Sequence, residues 1–72
     1  MQDLRPHVNV VAAARLPADD VARELRIQRA ADLLANAVSA AVRRRAFNVI
    51  RSEIAARSSQ AVEAIARARE AA

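Results

Sequence analysis

The residues with the most evident capacity for chemistry are the arginines. All twelve basic residues of this 72-residue chain are arginine, and five of them, Arg43, Arg44, Arg45, Arg51 and Arg57, fall in a short stretch that holds a single acid, Glu53. Residues 1–36 balance five arginines against five acids, so this stretch carries the whole formal charge of +4. A guanidinium pairs through two parallel hydrogen bonds with a carboxylate or a phosphate. The patch therefore suits the backbone of a nucleic acid, an anionic lipid, an acidic protein partner, or acids on neighbouring helices of one assembly. One phenylalanine offers too little aromatic surface for stacking on successive bases, which disfavours a reader of single strands.

The remaining polar groups do not converge. Ser39, Ser52, Ser58 and Ser59 have only His7 as a candidate base, on a segment expected to be an exposed arm. Asp19 and Asp20 are explained by helix initiation. With no cysteine there is neither a disulfide nor a thiolate metal site, and one histidine does not make a zinc centre. Without glycine the chain lacks the loops that cradle phosphates and dinucleotides. The expectation is a non-enzymatic protein with no cofactor and no metal.

These residues have to be positioned by helices. Pro17 followed by Ala18, Asp19 and Asp20 makes a favourable helix start, with proline in the first turn and carboxylates at the positive end of the dipole. From Ala18 to Arg57 the sequence reads as one uninterrupted helix of good formers. Asp19 with Arg23, Glu53 with Arg57 and Glu63 with Arg67 are acid-before-base pairs at the spacing of neighbours on a helix. Ser58-Ser59 is the expected break, with Ser59 capping a last helix from Gln60 to about Glu70 in a helical hairpin or kinked pair; the alternative is that the helix runs straight through as one coiled-coil-like rod. Upstream, Pro6 and Pro17 enclose a segment in which Val8 and Val10 alternate like a strand while Ala12 to Ala14 favour helix; an extended arm or one short helix is expected. The fold class is thus all-α, with an N-terminal arm over residues 1–17 and a helical association domain over residues 18–72. The opening residues lack the long apolar stretch of a secretory leader, while Arg5, Arg15 and the alanines leave an organelle leader open, weakened by Asp3 and the short length. No apolar run approaches the length of about 20 residues that spans a membrane.

Setting aside the twenty alanines leaves nineteen larger apolar residues, few for a self-sufficient core. At 100° per residue on a continuous helix, Leu33, Ala40, Phe47, Ile50 and Ile54 fall on one side. Leu34, Val38, Ala41, Val42 and Val49 fall nearly opposite. A helix with two opposed apolar stripes must be covered twice. The expected interface comprises these larger side chains together with Val62 and Ile65, and it is filled by further copies or by a larger complex.

The lengths of Ala30 to Ala56, of Arg57 to Ser59 and of Gln60 to Glu70 are similar to the proportions of the histone fold. A ribbon-helix-helix arrangement would instead use Val8 to Val10 as its strand and would need a turn inside the long helix. Neither likeness assigns a family. The function expected is helix-mediated self-association, or a structural or regulatory role within a larger assembly. The alternative is sequence-nonspecific binding of nucleic acid by the arginine patch.

Overall fold

The computed structural model describes residues 5–71, and among them the chain is all-α. Its helices are α1 (Arg5–Ala13), α2 (Ala18–Asn36), α3 (Ala40–Ala55) and α4 (Ser59–Ala71). The reading of the opening residues as lacking a secretory leader falls on positions 1–4, outside the described residues. No strand occurs among the described residues: Val8 and Val10 lie on α1, so the N-terminal segment is the short helix rather than the extended arm.

Each helix ends for a local reason. At the end of α1, Arg15 N–H donates to the Ala12 carbonyl (3.0 Å) and Leu16 N–H to the Val11 carbonyl (3.4 Å), while Arg15 takes φ 57°. This is a Schellman turn, complete with the apolar contact between Leu16 and the cluster that holds Val11. Its left-handed position usually takes glycine, and this glycine-free chain places an arginine there. Pro17 occupies the cap position just before α2 rather than its first turn, while Asp19 and Asp20 lie in the first turn as the sequence suggests.

The long helix expected from Ala18 to Arg57 is two helices. Ala37 and Ser39 have extended backbone (ψ 134° at both), and the chain turns back between them. Asn36 Nδ2 donates to the Asp32 carbonyl at 2.7 Å, a side-chain bond that reaches back over the last turn of α2. Ser39 caps α3 by accepting from Val42 N–H at 3.4 Å. The second break falls where it is expected, but Ser58 rather than Ser59 is the cap, accepting from Ala61 N–H at 3.1 Å.

Helices α2 and α3 form an antiparallel hairpin, since Glu24 meets Arg57 while Arg26 meets Glu53 further along. Helix α1 packs on α2 and on α4. Val11, Ala61 and Ile65 form a buried cluster, with Val10, Leu16 and Val21 packed around it. Ile27, Ala30 and Ala46 are buried as well. Full burial of a valine or isoleucine contributes about 1.5–3 kcal/mol, and of the six buried apolar residues among those described three are only alanine. Such a core is thin. The shape reflects it, with extents of 36 × 24 × 15 Å and a radius of gyration of 12.5 Å, against about 11 Å for a compact domain of this length.

Candidate association surfaces

The hairpin carries three kinds of side chain that a partner could use, or that its own fold has consumed. The consumed ones lie where α2 begins and α3 ends. Arg57 donates from Nε to Glu24 Oε2 (2.9 Å) and from Nη2 to Oε1 (2.8 Å). Glu24 is only 1% exposed, so this is a buried, two-pronged ion pair. Beside it, Arg26 donates from Nε and Nη2 to the two oxygens of Glu53 at 3.0 and 3.2 Å. The Arg23 guanidinium lies 3.5 Å from both Asp20 and Glu53. The hydrogen bonds from Arg26 hold the Glu53 carboxyl below its ordinary range, helped by the charges of Arg26 and Arg23 against partial desolvation. The same bonds raise Arg26 above the ordinary arginine value.

The sequence spacing predicts that these charges pair along single helices. Of the three predicted pairs, Glu63 with Arg67 does so. Arg23 turns to Asp20 and Glu53, and Arg57 leaves Glu53 for Glu24, because the turn at Ala37 to Ser39 brings the acids of α2 opposite the end of α3. Arg57 is therefore removed from the arginine patch. Arg43, Arg44, Arg45 and Arg51 remain exposed, and among the described residues none of them forms an ion pair with a carboxylate. Arg44 and Arg45, with Asn48 and Ser52, line an open hollow of about 540 Å³ on the outer side of α3.

The apolar residues divide between two sides of α3. On one side Phe47 is 50% exposed and Ile54 is also uncovered, with Ile50 half-buried between them. Arg51 sits over the Phe47 ring, its Cζ 5.9 Å from the centroid, at the outer limit of a cation–π contact. About 160° round the helix, by its 100° step, Val49 and Val42 are exposed. There α2 and α3 border a groove of about 300 Å³, with Ala30 and Ala46 at its base, Leu33 and Val49 on its walls, and Arg26, Arg29 and Arg45 along its rim.

The opposition of Phe47 and Ile54 to Val42 and Val49 thus matches the sequence expectation, because all four lie on one continuous helix. Leu33 does not. A continuous helix would put it on the Phe47 side, but it shares the groove with Val49, since the turn resets the helical phase. Leu34 is half-buried, and Val38 stands fully exposed in the turn itself. Val62 is exposed on α4, whereas Ile65 is 6% exposed and belongs to the chain's own core rather than to an interface. His7, expected on an exposed arm, is buried. Sequence reasoning missed Glu24, Ala30 and Ala46; the signal that could have found them is Asn36 with Ser39, a helix stop followed by a helix start.

Among the described residues no three His, Asp or Glu side chains gather as a metal-binding group. Nor is any described helix long and apolar enough to cross a membrane. No family model, curated protein or solved structure matches the chain.

Proposed function

We propose that this chain is a non-catalytic helical protein that acts by association, pairing with itself through the Phe47 side of α3 or serving as a structural or regulatory subunit of a larger assembly. The observation that carries the reading is the large apolar pair, Phe47 and Ile54, uncovered on a molecule in which, among the described residues, only three apolar side chains larger than alanine are buried. The surface area supports it. The chain exposes 5133 Å² at 7.8 kDa, where a compact monomer of that mass exposes about 4,400 Å². The difference is that of an open shape with large apolar side chains uncovered. Sedimentation of the whole chain across micromolar concentrations tests this. Self-association abolished by Phe47→Asp supports the reading, and a stable, cooperatively folded monomer at every concentration contradicts it.

The exposed set Arg43, Arg44, Arg45 and Arg51 favours a second reading, binding of duplex nucleic acid without sequence preference. Freed of Arg57, the patch is confined to the first half and outer edge of α3. Phosphate contacts release counterions, so such binding must weaken steeply with salt, while apolar helix packing does not. Anisotropy of a labelled duplex against salt separates the two. Reversing Arg44 and Arg45 to Glu, which line the hollow rather than the Phe47 ring, should weaken duplex binding steeply and leave sedimentation unchanged; loss of assembly instead would make these arginines bridges between chains.

A further inference from the structure

The groove on the side of α3 away from Phe47 has a chemistry of its own. Its base is made of two alanines, Ala30 and Ala46, and small residues at a helix–helix contact keep the two axes close and the slot shallow. Its walls, Leu33 and Val49, are exposed branched side chains facing each other across the seam. Its rim carries Arg29 from α2 and Arg45 from α3, both exposed and, among the described residues, in no ion pair with a carboxylate. An apolar slot open along the seam of two antiparallel helices has the shape that receives a third helix, whose apolar stripe enters while its polar flanks meet the rim.

The charges decide which helix. A second copy placed here about a two-fold axis would bring together two grooves that each carry Arg29 and Arg45 and no carboxylate in their lining, and like charges across an interface disfavour it. The chain's own α4, offered by a neighbour, is no better: Glu63 and Glu70 are balanced by Arg67 and Arg69, and Glu63 is already paired with Arg67. A nucleic acid would satisfy the arginines and leave Leu33 and Val49 facing water. We infer that the α2–α3 groove is a docking site for an acidic amphipathic helix of another protein, with apolar residues three and four apart seated between Leu33 and Val49 and carboxylates meeting Arg29 and Arg45. This site is separate from the Phe47 side and does not depend on self-association.

A labelled peptide of about 18 residues, with leucines at helical spacing and glutamates on the remaining face, serves as the probe for anisotropy with the full chain. Two controls accompany it: the same composition scrambled, and the same pattern with lysine for glutamate. The patterned acidic peptide should bind roughly tenfold or more tightly than the scrambled one, the equivalent of about 1.4 kcal/mol. Leu33→Gln with Val49→Gln should remove that preference while sedimentation stays as in the parent, since both side chains are already exposed. Arg29→Glu with Arg45→Glu should reject the acidic peptide and accept the lysine version, whereas Phe47→Asp should leave peptide binding intact. Equal binding of the scrambled peptide would reduce the site to a polyanion patch and overturn the proposal. So would binding that survives Leu33→Gln with Val49→Gln, or binding lost on Phe47→Asp. Self-association lost on Leu33→Gln with Val49→Gln would put a second copy in the groove and overturn the acidic-helix assignment. Failure of self-association in the parent chain would overturn the Phe47 reading alone.

Discussion

The two ends of the α2–α3 hairpin invert each other. At the end where α2 begins, charged groups are inside: Asp20 and Glu24 are buried, and Arg57 and Glu53 reach across to satisfy Glu24 and Arg26. Toward the turn, apolar groups are outside: Leu33 and Val42 are exposed, and Val38 is 100% exposed. The first end also has α1 packed on α2 and on α4, which supply the Val11 cluster. The chain thus buries its own side chains at one end and leaves apolar surface uncovered at the other. Near the clustered end, oriented ion pairs fix the register of two helices. Near the turn, nothing among the described residues covers the apolar side chains.

The strongest test of this contrast is at the clustered end. Arg57→Ala leaves the Glu24 carboxylate buried without its partner, and breaking a buried pair in this way costs about 3–5 kcal/mol. For a chain this small the expected outcome in a denaturant titration is a largely unfolded population. Replacing both partners, Glu24→Met with Arg57→Leu, should be neutral or stabilising, because the desolvation of two charges is avoided. If the double variant is as unstable as the single one, the pair is not what holds that end.

Phe47→Ala probes the uncovered side. Truncating a fully buried phenylalanine costs about 3–5 kcal/mol, so a ring half exposed in the single chain should cost about half of that at low concentration. If self-association covers the ring, the loss should rise toward the full value as concentration increases, read as a widening gap in Tm between variant and parent. A concentration-independent difference would leave Phe47 on a bare surface.

The helix caps give smaller effects. Ser39→Ala and Ser58→Ala each remove a cap and should cost about 1 kcal/mol in thermal unfolding, while Ser59→Ala, one residue inside α4, should stay within about 0.5 kcal/mol. The smallest effect concerns pH. Because the folded Glu53 carboxyl lies below its ordinary value, its contribution is present above the unfolded carboxylate pKa of about 4.3 and is lost as pH falls through the folded value. Glu53→Gln should therefore be less stable than the parent near neutrality and equal to it in strong acid. A gap that persists unchanged into acid would contradict the role given to Arg26.

Much of the fold was legible because it depended on local chemistry. Pro17 and the two aspartates start a helix wherever the rest of the chain goes, and the Ser58-Ser59 pair interrupts one. The turn at Ala37 to Ser39 was not legible, for a quantitative reason. Asn36 and Ser39 each disfavour a helix interior by only about 0.5–0.7 kcal/mol, and alanines on both sides pull the other way. What tips the balance is the packing of α3 back against α2, a tertiary effect absent from any local window. Two later differences follow from it: the side on which Leu33 lies and the capture of Arg57 by Glu24. The division of α3 into two apolar sides survived, because it needed only residues within one helix. The burial of His7 and Ile65 was hidden for the same reason as the turn, since both lie on helices α1 and α4, whose mutual packing is long-range in sequence.

That difference in sequence separation has a kinetic consequence. The three residues Ala37 to Ser39 close the α2–α3 hairpin over the shortest of loops, whereas Val11 must find Ala61 and Ile65 across about fifty intervening positions. Contacts between sequence neighbours form early and non-local ones late. The hairpin should therefore assemble first and α4 should close last, as a latch drawn over α1. Ile65→Ala would then speed unfolding while leaving the refolding rate nearly unchanged; a slowed refolding limb in stopped-flow measurements would reverse the order. The first compact species is thus one whose Phe47 side is already displayed and whose N-terminal helix still waits for its latch.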